Sequence, residues 1–181
     1  KGGFLTMGSK RIGLARVEAL LENLKREINW SSTTQKNFKT SVVLSGGGAT
    51  VLTAADSGAT CVFDTAAAST FTLPDPELGM SFTFVSTITA TGDHEVIAGT
   101  NDHGFLGGCL IMNTTADQTN AFSAATDGNN DYITMNGSTT GGIAGSMIHV
   151  SAILGASAAK CWAVHATLIG SGNTTTPFAD A

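Results

Sequence analysis

The sequence has few charged residues, and this scarcity limits the surfaces that the protein can present. Asp, Glu, Lys and Arg make up 13% of its 181 residues, which is about half the usual share. Glycine is abundant, with 22 residues, and Ser, Thr, Ala and Asn are frequent. Few charges and many small side chains favour a surface that is covered by neighbouring chains or stays inert.

Motifs of the common enzyme and cofactor sites are also missing. Gly46-Gly47-Gly48 is not followed by the Lys-Ser/Thr of a phosphate loop, and no Gly-x-Ser-x-Gly elbow is present. No helical pattern alternates with the strands, so the nucleotide crevice of a βαβ fold is not expected. The sequence therefore predicts no catalytic residue and no cofactor.

Long apolar runs and cysteines are scarce as well. No run of about 18 apolar residues occurs, so no membrane span is predicted. Cys61, Cys109 and Cys161 lie far apart, each in an apolar run. This spacing indicates buried reduced thiols rather than a metal knuckle, and it fits assembly in a reducing cytosol.

The charges that are present are divided unequally along the chain. Residues 1–39 hold eight of the nine Lys and Arg against three Glu, for a net charge of +5. Residues 40–181 hold one Lys against eleven acids, for a net charge of −10. A basic arm on an acidic body can steer towards an acidic protein surface. Because the bases of the arm are interleaved with acids, no nucleic-acid partner is predicted.

One segment, at about residues 12–29, has helical periodicity. Its apolar residues are spaced by three or four positions and form a single stripe, called here the helical seam. The seam consists of Leu14, Val17, Leu21, Leu24 and Ile28. An isolated helix of this length is marginal in water. The seam therefore has to pack on the β body of its own chain, on symmetry mates or on another protein.

Residues 39–181 read as short strands separated by turn residues, and residues 1–38 as an arm. This pattern predicts a mainly β fold, an antiparallel β-sandwich or jelly-roll-like body with one N-terminal helix. No fixed-period repeat is evident. The predicted strands are Ser41–Leu44, Thr50–Thr53, Thr60–Asp64, Ser69–Leu73, Met80–Ala90, His94–Ala98, Gly108–Asn113, Asn120–Ala124, Asp131–Met135, Ser146–Leu154 and Lys160–Ile169.

Histidines beside carboxylates are the remaining candidates for chemistry. His94 lies between two acids and His103 follows one, and such pairs can hold a metal or orient a base. Adjacent residues on a strand point to opposite faces, so these pairs are not expected to converge and no metal site is predicted. His149 and His165 lie in the last two long strands, where they can be cross-strand neighbours.

Three parts of the sequence resemble structural proteins in the virions of tailed marine phages. The segment 10–28 is similar to the N-terminal segments of such proteins. From Thr70 to Phe84, Thr-Phe-Thr-Leu-Pro is followed by Gly-Met-Ser-Phe-Thr-Phe, which resembles a β motif of phage head and fibre proteins. The stretches 131–142, 160–164 and 176–178 are similar to the closing strands of these proteins.

The resemblance implies a virion component, and the size best fits a capsid decoration (cement) protein. Such proteins are small β domains that clip the outside of a capsid, often as trimers. The expected partners are the major capsid protein and the chain itself, as a homotrimer, and the expected location is the capsid surface of a virion assembled in the host cytoplasm. A head-fibre or tail-appendage module that binds a host surface remains the alternative.

Docking on the shell is expected to use the helical seam and the bases around it. The apolar side chains would be buried, and the bases would meet acidic shell surface. The predicted docking residues are Arg11, Leu14, Arg16, Val17, Leu21, Leu24, Lys25, Arg26 and Ile28.

Overall fold

The structure, a computed structural model, describes residues 16–19, 21–22, 42–99, 103–124, 130–155 and 160–180. The chain divides into two units, Lys1–Lys39 and Thr40–Ala181. In the first unit, residues 16–19 and 21–22 are α-helical, and the rest of the predicted helix at 12–29 lies outside the described residues. The boundary between residues 38 and 39 stays a prediction.

The second unit is a sandwich of two β-sheets, which confirms the prediction of a mainly β fold. Every strand except β12 overlaps a strand predicted from the sequence. The strands are β1 (Val42–Leu44), β2 (Ala49–Val51), β3 (Thr60–Phe63), β4 (Ser69–Thr72), β5 (Ser81–Ser86), β6 (His94–Ile97), β7 (Phe105–Asn113), β8 (Thr119–Ser123), β9 (Tyr132–Met135), β10 (Met147–Leu154), β11 (Lys160–Gly170) and β12 (Phe178–Ala179).

The predicted strand Met80–Ala90 is longer than the strand that forms. β5 ends at Ser86, and Ile88 lies in the bend that follows, where it is exposed. The chain bends here because it must cross to the other sheet before β6 begins.

The first six strands wind as a coil through both sheets. The seven-stranded sheet has the order β1-β3-β5-β10-β11-β7-β8, and the five-stranded sheet has the order β12-β9-β6-β4-β2. The chain crosses to the opposite sheet after each of the first five strands. Each strand from β3 to β6 therefore lies beside the strand two positions earlier, and the two run parallel.

This winding makes the expected antiparallel arrangement wrong, because both sheets are mixed. Five strand pairs are parallel and five are antiparallel. Short connections favour antiparallel hairpins, and β7–β8 and β10–β11 form such pairs. In the coil, equally short connections lead to the opposite sheet. The chain returns to the first sheet one strand later, and it then runs in the same direction as the strand beside it.

Side chains at the corners connect successive turns of the coil. The Asp64 carboxylate, just after β3, accepts hydrogen bonds from the Ser45 hydroxyl at 3.0 Å and the Gly46 amide at 2.8 Å, just after β1. These bonds hold the pKa of Asp64 below its ordinary value. In the next turn, the Thr87 hydroxyl donates to the Phe63 carbonyl at 3.0 Å.

The core between the sheets contains a stack of rings that come alternately from the two sheets. Phe84 on β5 contacts Phe71 on β4, with ring centroids 5.5 Å apart, and Phe71 contacts Phe63 on β3 at 5.0 Å. Phe63 in turn stacks on the His94 imidazole of β6 at 4.5 Å, with the rings nearly parallel. All four side chains are buried. We call this set the ring stack.

We predict that Phe71→Ala lowers the free energy of unfolding by about 3–5 kcal/mol, because it removes the ring between Phe63 and Phe84 and leaves a cavity. The matched control is Thr72→Ala, the next residue on the same strand, whose side chain points away from the core; it should cost less than about 1 kcal/mol. Urea unfolding followed by tryptophan fluorescence measures both. Equal losses in the two variants would contradict the role given to the ring stack.

Candidate functional site

Three of the predicted docking residues are described by the structure, and all three are exposed. They are Arg16, Val17 and Leu21. Val17 is 51% exposed and Leu21 is 57% exposed, which is high for apolar side chains on a helix. Six predicted docking residues lie outside the described residues: Arg11, Leu14, Leu24, Lys25, Arg26 and Ile28.

The outer face of the seven-stranded sheet is a second candidate surface, which the sequence did not reveal. On each strand, alternate residues point away from the core, and the register aligns one such residue from every strand. Six of the seven aligned residues are apolar, and we call the set the apolar row. It consists of Leu44, Val62, Val85, Met147, Thr167, Leu110 and Ala121.

The apolar row is open to solvent along its length. Leu44 is 57% exposed at one edge of the sheet, Met147 is 48% exposed on the central strand, and Leu110 is 43% exposed towards the other edge. Single exposed apolar residues are ordinary, whereas a contiguous set of them marks an interaction surface. The row is therefore the candidate functional surface of the β body.

Among the residues that the structure describes, the outer face of this sheet carries no Asp, Glu, Lys or Arg. The charged residue on its described strands is Lys160, which is exposed at the first position of β11, on the same alternation as the inward-facing Trp162. The described acids of the second unit lie outside the strands of this sheet, in connecting segments or on the five-stranded sheet, where Glu95 accepts a hydrogen bond from Thr70 at 3.1 Å. The two outer faces of the sandwich therefore differ in charge.

A shallow groove of about 340 Å³ lies beside the apolar row. Leu110, Ala121, His165 and Gly108 are among the residues that line it. A Cβ at Gly108 would lie 2.6 Å from the Phe122 carbonyl oxygen, so the close approach of β8 requires glycine here. The groove can accept a protruding side chain from a partner.

His149 and His165 are register partners on β10 and β11, as predicted. Both are exposed on the outer face, and each lies two residues along its strand from the apolar row. His149 Nδ1 lies 3.2 Å from the Thr83 hydroxyl on β5. Within the described ranges, no group of three or more His, Cys, Asp or Glu residues comes together.

His94 points into the core, and the acid that follows it points out, as strand alternation predicts. Its Nε2–H donates to the Thr65 carbonyl oxygen at 2.9 Å, which leaves Nδ1 unprotonated. Nδ1 is buried and, among the described residues, has no hydrogen-bond partner. Burial lowers the pKa of His94 below its ordinary value, an effect that the bond to Thr65 only partly offsets.

His103 makes a surface contact rather than a site. Its Nε2 lies 3.7 Å from the Asp75 carboxylate, and its Nδ1 lies 3.3 Å from the Lys160 carbonyl oxygen. Asp75 is highly exposed, and an exposed pair of this kind contributes little to stability. The acid next to His103 in the sequence lies outside the described residues.

The cysteines are buried and free, which confirms the prediction of reduced thiols that pack as small apolar groups. Burial raises the pKa of Cys61 to about 12 and that of Cys109 to about 11, and it also raises the pKa of Cys161. A thiol with a raised pKa is a poor nucleophile at neutral pH. These residues are therefore inert core groups.

The apolar row had a partial signal in the sequence. Outward positions of half-exposed strands are ordinarily polar, and Val62, Val85, Met147 and Leu110 depart from that rule. Each departure alone is unremarkable, because a single exposed apolar residue needs no explanation. Only the strand order and register show that these residues are neighbours.

We predict that lowering the pH from about 7.5 to about 5.5 destabilises the protein through His94. The unfolded chain takes up a proton near the ordinary histidine pKa, whereas the folded chain takes it up only at a lower pH, so acid favours unfolding. His94→Phe keeps a ring against Phe63 and should show a smaller loss over this range. It should also be less stable at both pH values, by about 1–3 kcal/mol, because the Thr65 carbonyl loses its donor.

The exposed His149→Gln variant is the control and should keep the pH dependence of the unsubstituted protein. Chemical unfolding of the three proteins at the two pH values measures the effect. A pH dependence that is unchanged in His94→Phe would contradict the prediction.

No helix in the described part of the chain is long and apolar enough to cross a membrane.

Comparison with known proteins gives no further constraint on the function of the apolar row. No protein-family model, no curated protein and no solved structure matches this chain.

Proposed function

We propose that this protein is a non-enzymatic decoration protein of a tailed-phage capsid, which binds the outer surface of the shell and stabilises it. The observation that carries the proposal is the exposure of Val17 and Leu21 on the helical seam. The resemblance of three sequence stretches to virion proteins gives the partner, the major capsid protein. Self-association as a trimer is part of the same proposal.

The helical seam has a physical reason to bind another subunit. Burying a Val or Leu side chain is worth about 1.5–3 kcal/mol, and the helix forms stably only when such a face is covered. Part of this free energy is offset by the entropy lost on binding. A contact that covers the whole seam would therefore bind the chain to the shell and connect neighbouring shell subunits.

The charge distribution along the chain also favours binding of the shell through the arm. The net charge of +5 on residues 1–39 is attracted to an acidic shell surface, whereas the net charge of −10 on residues 40–181 is not. The described core of the body is built from residues between Leu52 and Phe178. Attraction to an acidic shell surface therefore favours the arm as the anchor, while the β body sits on the shell.

We predict that Leu21→Asp weakens binding to capsids at least about tenfold, because it places an unpaired charge in the buried contact. The control is Ala19→Asp, which adds the same charge to an exposed helical residue outside the seam and should change the affinity less than about threefold. Co-sedimentation of each purified variant with capsids that lack the protein gives the affinity. Equal binding by the two variants would contradict a role for the seam.

Removing residues 1–38 is predicted to abolish capsid binding and to leave the body folded. Circular dichroism and thermal unfolding report on the fold, and the same co-sedimentation assay reports on binding. A truncated body that still saturates capsids would rule out the arm as the anchor.

The copy number in purified virions separates decoration from an appendage. A decoration protein is present at a copy number comparable with that of the shell protein, whereas a head-fibre or tail module is present in a few copies. Gel densitometry against the major capsid protein measures this ratio. A low ratio would replace the present proposal with host-surface binding.

A further inference from the structure

We infer that the outer face of the seven-stranded sheet is an interface between two copies of this chain. The contact surface is the apolar row together with the groove beside Gly108. The inference adds a second self-contact to the trimer of the proposed function. It does not rest on capsid binding, and the two can fail separately.

Charge is the first reason to choose a second copy as the occupant. Residues 40–181 carry a net charge of −10, so most contacts between two bodies bring acids together and are opposed by repulsion. In the described part of the chain, the outer face of the seven-stranded sheet carries no Asp, Glu, Lys or Arg. Two copies that meet through this face keep their acids away from the contact.

Size is the second reason. The seven strands have 3 to 11 residues each. With about 3.3 Å per residue and about 4.8 Å between strands, they present on the order of 700 Å². Stable interfaces bury about 600–1,000 Å² on each partner. The face therefore reaches the lower end of the range that a stable dimer needs, and the apolar row provides the water-excluding centre.

Shape is the third reason. A two-fold contact uses the same patch on both subunits, so the patch must offer both a protruding group and a recess. This face offers both, because the exposed Leu44 side chain lies on β1 in one half of the sheet and the groove at Gly108 lies in the other half. A two-fold axis near the central strand, β10, places the protruding half of each copy over the recessed half of its partner.

The inferred contact has a defined stoichiometry. Two sheets that pack face to face lie about 10 Å apart, and each face is used once, so the contact pairs two chains and closes. A trimer would have to form through a different surface. The inferred contact alone gives a dimer, and both contacts together give a hexamer.

Lysine substitutions in the full-length protein test the inference. Met147→Lys and Leu110→Lys place a charge in the centre of the apolar row and next to the groove, and each should weaken dimerisation at least about 100-fold. Thr72→Lys and Thr134→Lys are the controls, because they add the same charge to the outer face of the five-stranded sheet. Sedimentation velocity over a concentration series gives the mass of each species.

The expected result is an even-numbered assembly for the unsubstituted protein and the controls, and loss of that pairing in the two apolar-row variants. An unsubstituted protein that is monomeric up to about 100 µM would overturn the inference. So would an assembly that persists in both apolar-row variants. Dissociation by Leu21→Asp alone would assign the self-contact to the helical seam and would also overturn it.

Cross-linking decides the question even if a lysine variant fails to fold. Met147→Cys places an accessible thiol near the expected axis, whereas the native cysteines are buried. A short bis-maleimide should join two Met147→Cys chains rapidly and should leave Thr134→Cys chains unjoined. Equal cross-linking of the two variants, or none in either, would contradict a contact through this face.

Discussion

The fold depends on the ring stack, in which rings from the two sheets alternate through the core. Side chains on a strand point inward at every second residue, and the chain changes sheets after each strand of the coil. As a result, β3, β4, β5 and β6 each deliver one ring, and Phe71 from one sheet lies between Phe63 and Phe84 from the other. This arrangement also fixes the register, because a slip by one residue would turn each ring out to solvent. His94 at the end of the stack is neutral and buried, and stacking on Phe63 gives its apolar surface a partner.

Because the ring stack fixes the interior, the outer faces of the sandwich can take on different chemistry. The five-stranded sheet presents threonines and Glu95, and Thr70 and Glu95 are joined by a hydrogen bond. The seven-stranded sheet presents the apolar row without charge. The helical seam adds a third surface, whose described residues Val17 and Leu21 are exposed. One acidic body can in this way carry separate contacts for its own copies and for a shell, and the proposed contacts do not compete for the same residues.

Much of the local structure follows from residue alternation and turn residues. The strand positions, the helical residues 16–19 and 21–22, the buried free thiols and the inward orientation of His94 all agree with their sequence patterns. The winding of the first six strands between the two sheets, by contrast, has no such pattern in the sequence. Val42 pairs with Thr60 and Thr60 with Thr83, which are offsets of 18 and 23 residues, so no regular repeat marks the winding. The antiparallel expectation was wrong because the connections in the coil cross to the opposite sheet, which leaves neighbours in one sheet parallel.

By itself, the sequence determined where most of the strands lie, because periodicity and turn formation act over a few residues. It also determined the unequal division of charge between the arm and the body. Only the tertiary structure decided which strands are neighbours and in which direction they run, since that choice depends on how the rings interleave across both sheets. The apolar row exists only through that choice: its members are far apart in the chain, and the register of seven strands aligns them on one face.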